Sequence, residues 1–256
     1  MIQVVVSGAR GRLGQRIQRL VEASSDLCLA ASLVRPGTEQ SDKKMTSDLS
    51  VITSGSVLIE TGPPAAAERH AEHAASVGAA VLMATTGFER GADARFDAIA
   101  TRCPFLLAPN LSLGIAVLED LVRRASAALA EYDVEIVEAH HRNKRDAPSG
   151  TAWALARAAS LARDGDIERD AILARAGTTG PRSAGEIGMQ SIRGGDVVGE
   201  HTVYFLGLAD RIELTHRAQD RDVFAHGAIA AARFLGAEGR KPGRYTMRNV
   251  LGLDPA

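Results

Sequence analysis

The sequence predicts an α/β protein, with a Rossmann-type doubly wound parallel sheet and a smaller α+β domain built on a mixed sheet. Three observations carry that expectation. Over about the first hundred residues, short apolar runs alternate with helical patterns across brief connections, the signature of a parallel sheet with helices on both faces. A glycine cluster joins the first strand to the first helix. After Asn110 the alternation gives way to one long helix and then to strands separated by short turns, which suits an antiparallel or mixed sheet.

Taken in order, the runs Ile2 to Ser7, Leu27 to Val34, Val57 to Thr61, Ala80 to Ala84 and Phe105 to Ala108 read as strands. Helices fall between them at Gly11 to Ser24, Ala65 to Val77 and Gly91 to Thr101. Beyond Asn110 the pattern gives a helix over Gly114 to Glu131, a strand over Asp133 to His140 and a helix over Gly150 to Arg163. Strands at Gly185 to Arg193, Gly199 to Leu206 and Asp210 to Ala218 follow, then a helix from Asp222 to Leu235 and a tail with glycine and proline. No internal repeat or low-complexity segment interrupts the series.

Composition narrows the class of partner. A chain of 256 residues with 45% apolar and 24% charged residues can bury one large core or two modest ones. With a formal net charge of -1 and no block of like charges, neither a nucleic acid nor an anionic membrane surface is expected, and a small metabolite fits better. No run reaches the roughly 18 apolar residues of a membrane span, and Met1 to Ser7 leads straight into glycines without the pattern of a signal peptide. Cys28 and Cys103 read as small buried hydrophobes in a reducing compartment, so a cytoplasmic location is expected. Lysine is rare: Lys43, Lys44, Lys144 and Lys241 are the four among 30 basic residues, so each carries more information than usual.

The segment Ser7-Gly8-Ala9-Arg10-Gly11-Arg12-Leu13-Gly14 spaces its glycines three apart between strand and helix. Glycine lets the backbone approach a pyrophosphate, and the free amides at the helix start favour the anion, so Gly8, Arg10, Gly11, Arg12, Leu13 and Gly14 are candidate cofactor contacts. The bland alternative is a tight strand-to-helix turn without a ligand. In such sites an acidic residue ending the second strand binds the adenosine ribose, whereas arginine accommodates a 2′-phosphate. Here the strand ends in Val34-Arg35, and Asp26 lies at its wrong end, which favours NADPH over NADH with Arg35 as the phosphate partner. An exposed Arg35 without a ligand is the competing reading.

A second constellation runs from Glu138 through Ala139, His140, His141, Arg142, Asn143, Lys144, Arg145, Asp146, Ala147 and Pro148 to Ser149-Gly150-Thr151-Ala152. Adjacent histidines at a strand end point to opposite sides, and no Cys or carboxylate set at ligand spacing accompanies them, so no metal is expected. One histidine suits proton donation near neutral pH, and Lys144, a candidate catalytic residue, supplies a compact positive charge for a carboxylate or for charge developing on a substrate. Ser149, Gly150 and Thr151 present amides and hydroxyls at a helix start, a second anion cradle. Alternatively, Ser149 merely caps the helix and the histidines sit in a polar loop.

The string Glu138-Ala139-His140-His141, then Lys144, then Asp146 to Ala152, resembles the signature of the dihydrodipicolinate reductase family. Similar matches occur in order at Gly11 to Gly14, Ala84-Thr85-Thr86-Gly87-Phe88, Ala108 to Gly114, Arg193 to Thr202, Asp210 to Ala218 and Tyr245 to Leu253, nearly the whole chain. The resemblance implies a dinucleotide-binding domain of residues 1–111 and 221–256 and a substrate-binding and tetramerisation domain of residues 112–220. It implies NAD(P)H-dependent reduction of a small cyclic imine dicarboxylate, dehydrated 4-hydroxy-tetrahydrodipicolinate, in diaminopimelate and lysine biosynthesis. Matched by position, His140 is the proton donor, His141 and Lys144 bind substrate, Gly150 and Thr151 hold a carboxylate, and Thr85, Thr86, Gly87, Ala108 and Asn110 lie where nicotinamide meets substrate. A homotetramer follows from the same resemblance.

The chain departs from the family at Val34, where an acidic residue is frequent, at Ile59-Glu60-Thr61-Gly62-Pro63-Pro64, and at Leu111, where phenylalanine or methionine is frequent. Two alternatives stand beside the leading one: a paralogous reductase of another cyclic imine or amino-acid semialdehyde, and a silent nucleotide-binding scaffold, which the presence of both His140 and Lys144 disfavours.

Overall fold

The structure, a computed structural model, describes residues 1–40 and 44–254. Lys43, one of the four lysines, lies outside the described residues. The chain divides into two compact units, one formed by Met1–Leu113 with the chain from Arg221 onward, the other by Gly114–Asp220.

In the first unit, β1 (Ile2–Ser7), α1 (Arg12–Glu22), β2 (Leu27–Leu33), β3 (Met45–Thr46), β4 (Val57–Glu60), α2 (Pro64–Ser76), β5 (Ala80–Met83), α3 (Ala92–Ala100) and β6 (Pro104–Leu107) alternate as the sequence pattern demands. The long helix α4 (Leu113–Ala128) begins at the boundary and leads into the second unit. There follow β7 (Asp133–His140), α5 (Gly150–Leu161), α6 (Ile167–Asp170), β8 (Ala171–Ile172), β9 (Ile187–Arg193), β10 (Gly199–Leu206) and β11 (Arg211–Ala218). The chain then returns to the first unit with α7 (Asp222–Leu235), β12 (Gly243–Tyr245) and α8 (Met247–Val250).

The first sheet is parallel throughout, in the order β12-β6-β5-β4-β1-β2-β3. Its strands are short and nearly all apolar because helices cover both faces. On one face, alanines of α2 (Ala67, Ala71, Ala74) and Phe96 and Ile99 of α3 pack on Val5, Leu58, Val81 and Phe105. On the other, α1 and α7 pack together, with Ile17, Val21, Ala228, Ala231 and Leu235 buried. Strand order reverses between β1 and β4, and the crevice at the carboxyl ends of the strands flanking such a switch point is where open α/β sheets bind ligands. Here the turns after β1 and β4 touch: a Cβ on Gly8 would lie 2.6 Å from Thr61 Oγ1.

The second sheet is mixed, in the order β11-β10-β7-β9-β8. Strand β10 runs antiparallel to β7 and β11, while β7, β9 and β8 are parallel. One face packs on α4 and α5 through Leu118, Val122, Leu155, Ala156, Val134, Ile136, Val203 and Phe205. The sequence pattern carries α4 to Glu131, but it ends at Ala128. Around that end, the Arg163 guanidinium collects the carbonyl of Ser126 in the last turn and those of Leu129 and Tyr132 beyond it, at 2.9–3.3 Å, satisfying groups that a helix end leaves open.

Short elements escaped the sequence reading: β3, α6, β8, β12 and α8 are each four residues or fewer, too brief to show a period. Asp26 does lie at the far end of β2, paired with Arg233 of α7 at 2.7 Å. Cys103 is buried and its thiol is pushed up to about 11 by that burial, whereas Cys28 is only half-buried.

Candidate active site

In the first unit the glycine loop forms a cradle into which side chains do not fit. Gly8 adopts φ +72°, and a Cβ on Gly14 would stand 2.4 Å from the Gly8 carbonyl. Helix α1 starts after Gly11 with no side-chain cap and no acidic residue in its first turn. Amides at such a helix start lack intrahelical partners and keep the positive end of the helix dipole for an anion. Arg12 and Leu13 open that first turn. This cradle fits a dinucleotide pyrophosphate.

Arg10 and the chain after β2 come together. Arg10 Nη2 donates to the Thr38 carbonyl at 2.5 Å, and Thr38 N and Oγ1 donate to the Arg35 carbonyl at 3.1 and 2.7 Å. Arg35 and Arg10 are both exposed on that turn. Thr85 is buried, and its hydroxyl donates to the Gly62 carbonyl at 2.9 Å, so it ties two loops rather than presenting a free group. Thr86 and Gly87 are exposed, with Gly87 at φ +83°. Ala108 is buried with its amide on the Met83 carbonyl, and Asn110 Oδ1 accepts from Ser112 N at 2.9 Å. These residues stand at the carboxyl ends of β5 and β6, on the same edge of the parallel sheet as the switch point between β1 and β4.

In the second unit, β7 alternates cleanly, and Val134, Ile136, Glu138 and His140 all face inward. The first two enter the core; the last two make its polar end. Glu138 is wholly buried, with donors on both carboxylate oxygens. Oε2 takes His140 Nδ1 at 2.6 Å and Arg193 Nη1 at 2.8 Å. Oε1 takes Arg193 Nη2 at 2.7 Å and the Ser149 amide at 3.1 Å. Burial alone would push this carboxyl up, but the hydrogen bonds from Arg193, His140 and Ser191 outweigh it and bring it down to about 2. His140 is held below the ordinary imidazole range, chiefly by burial, with Glu138 pulling the other way and Lys144 and Arg193 adding to the decrease.

Lys144 follows on the loop after β7 and pairs with Asp146 at 2.8 Å, which lowers the Asp146 carboxyl. His141 is half-buried, and its Nδ1 is without a hydrogen-bond partner among the described residues. Ser149 caps α5: its buried Oγ accepts from Ala152 N at 3.1 Å and lies 3.0 Å from His201 Nε2. The hydroxyl expected to contact substrate is thus committed to the helix cap and to His201. Gly150, exposed, and Thr151, half-buried, open the first turn of α5.

The structure therefore gathers His140, Lys144 and Ser149 in one unit, and Gly8, Arg10, Gly11, Gly14 and the Arg35 turn in the other. Sequence reasoning gave no role to Glu138, Arg193 or His201. A glutamate at an inward position of an alternating strand, two residues before a histidine, was the available signal, because such a charge must find a partner. Its partner, Arg193, is 55 residues away and visible only in the fold.

A parallel sheet with a glycine-lined phosphate cradle, joined in one chain to a buried carboxylate–histidine–arginine cluster, defines an oxidoreductase of the nicotinamide-dinucleotide class. Residues 2–111 match the family model described as dihydrodipicolinate reductase, N-terminus, and residues 114–251 match the one described as dihydrodipicolinate reductase, C-terminus. The chain belongs to the dihydrodipicolinate reductase family. It is 45% identical over 269 aligned residues to a 4-hydroxy-tetrahydrodipicolinate reductase of an Anaeromyxobacter species, each chain being covered completely. An enzyme of the same name from Rubrobacter xylanophilus is 42% identical, again with complete coverage of both. Among solved structures, a dipicolinate-bound dihydrodipicolinate reductase from Paenisporosarcina sp. TG-14 shares the fold with a TM-score of 0.77 at 20% identity, covering 96% of this chain and 97% of that one.

Proposed function

We propose that the protein reduces 4-hydroxy-tetrahydrodipicolinate to tetrahydrodipicolinate with NAD(P)H, releasing water and oxidised cofactor, in diaminopimelate and lysine biosynthesis. The observation that carries this reading is the His140 imidazole held by a buried, ionised Glu138 beside Lys144, in a chain that belongs to this reductase family. The bound cofactor supplies a hydride. His140 supplies the balancing proton from the ring nitrogen that Glu138 does not occupy. The Lys144 ammonium and the amides of Gly150 and Thr151 at the α5 start hold the substrate carboxylates, for which Asp146 is a displaceable partner of Lys144. In the second unit His141, whose Nδ1 has no hydrogen-bond partner among the described residues, adds a substrate contact, and Ser149 contributes by capping α5; in the first unit Thr86 is assigned to substrate by its family position.

The first unit is the dinucleotide-binding domain, with Gly8 to Gly14 on the pyrophosphate and Thr85 to Gly87, Ala108 and Asn110 at the nicotinamide. The second unit binds substrate and builds a homotetramer. No described helix is long and apolar enough to cross a membrane, and the reading places the enzyme in the cytoplasm. Among the described residues no cluster could hold a metal ion, and no metal enters the proposed chemistry.

The test is a coupled assay in which the preceding synthase makes the substrate from pyruvate and aspartate semialdehyde, while NADPH and NADH are followed separately by absorbance. Rapid oxidation of either establishes the activity; a protein that binds cofactor yet oxidises neither removes this substrate. Arg35, exposed on the turn that Arg10 braces, favours the 2′-phosphate of NADPH. Arg35→Ala should weaken NADPH about tenfold, as loss of ~1.5 kcal/mol of a charge-assisted contact predicts, with NADH little changed. Equal losses for both cofactors in the same titration would end the 2′-phosphate assignment.

A further inference from the structure

We propose that Glu138 and Arg193 are positioning residues that fix His140 in a single tautomer, committing Nδ1–H to Glu138 and leaving Nε2 for the reaction, and that Gly199 keeps the approach to Nε2 open. The inference rests on the reading of His140 as the proton donor.

Glu138 has no solvent exposure, and its two oxygens are filled by Arg193, the Ser149 amide and His140 Nδ1. An ionised carboxylate only accepts, so Nδ1 must carry the hydrogen in every protonation state of the ring, and the exchangeable proton belongs to Nε2. Arg193 does more than neutralise the buried charge. Its fork grips both oxygens, and Nη2 also donates to the Asp146 carbonyl at 2.7 Å, anchoring the loop that bears Lys144. Register explains the arrangement: Arg193 of β9 lies beside His140 of β7, and His201 of β10 lies beside Glu138.

Gly199 precedes His201 by two on the same strand, and a Cβ there would stand 3.0 Å from His140 Nε2 and 3.4 Å from Cδ2. Its backbone is not left-handed, so conformation does not require glycine at this position; space beside Nε2 does. A salt bridge serving stability alone would need neither the histidine nor that gap.

The charged and titratable groups around the ring are Glu138 from its own strand, Arg193 from β9, His201 from β10 and Lys144 from the following loop. His201 does not compete for the proton. Burial, followed by the neighbouring His140, holds it at about 4. Its Nε2 is engaged in a hydrogen bond with the Ser149 hydroxyl at 3.0 Å.

Nitrogen NMR of the histidine-labelled full chain reads the tautomer directly. Neutral His140 should be protonated at Nδ1 and bare at Nε2; the opposite tautomer, or an even mixture, overturns the proposal without any variant. Glu138→Gln should lower kcat about 10²-fold while the KM for cofactor stays within twofold. Removing the carboxylate charge disfavours the imidazolium, so the His140 titration and the descending limb of the pH–kcat profile should move together to lower pH. Arg193→Lys, which keeps the charge but loses the fork, should reduce kcat in the same direction by less. An unchanged profile in folded Glu138→Gln, with His140→Gln inactive, removes the positioning role alone. Full turnover in His140→Gln removes the proton-donor reading and this inference with it.

Discussion

Replacing His140 by glutamine should lower turnover of the cyclic imine by about 10²- to 10⁴-fold, the range for a lost general acid, while cofactor affinity and the thermal midpoint change little. Glutamine preserves a donor of similar reach but cannot release a proton. The pH profile carries a second signature. As the proposed proton donor, His140 must be protonated to act, so activity should be present at low pH and lost as pH rises through its titration, which burial sets below the ordinary imidazole value. A bound dianion favours the imidazolium, so the descending limb in kcat should lie at higher pH than that in kcat/KM. Coincident limbs would mean that the substrate carboxylates do not reach the field of this ring. Lys144→Ala should match the loss in kcat/KM through weaker substrate capture, measured in the same assay; near-wild-type turnover in His140→Gln, or an unchanged kcat/KM in Lys144→Ala, removes the assigned role.

Gly227→Ala should be the most damaging single methyl group in the first unit. Intrinsic preference points the other way, since alanine is favoured over glycine inside a helix by about 1 kcal/mol. Packing reverses the sign. A Cβ at this position of α7 would lie 1.7 Å from the Leu111 carbonyl oxygen, and backbone cannot rotate aside as a side chain can. A net loss of roughly 3 kcal/mol, or a fall in melting temperature of about 10 °C, is expected in a thermal scan with and without NADPH. Leu111 adjoins Asn110, so cofactor affinity should fall as well. A variant as stable as the parent would show that α7 does not approach the Leu111 carbonyl so closely.

Much of this fold is legible in the chain because its signals are local. Apolar runs such as Val57–Glu60 and Ala80–Met83, set between alanine-rich helices, announce a buried parallel sheet before any contact is known. The glycine spacing and the place of Arg35 likewise need only neighbouring residues. What the sequence withholds is pairing across distance. Nothing near Asp26 names Arg233 as its partner, nothing near Gly227 shows that Leu111 forbids a side chain, and nothing near Glu138 reveals the arginine that makes its burial tolerable. Ser149 illustrates the intermediate case. Its position at a helix start is readable, yet whether its hydroxyl serves a ligand or a cap depends on His201 from another strand.

The return of the chain from the second unit to finish the first sheet also sets an order of events during synthesis. Strand β12 is the neighbour of β6, and α7 covers the face opposite α2 and α3. Until the ribosome has delivered the last elements, β6 is an open edge and the apolar face behind it lacks α7 as its cover. Such surfaces are what holding chaperones bind and what aggregation starts from. The second unit has no such dependence, since its core is complete before residue 220 emerges. A nascent chain of this protein is thus expected to mature from its middle outward, with its N-terminal strands waiting on its C-terminal ones.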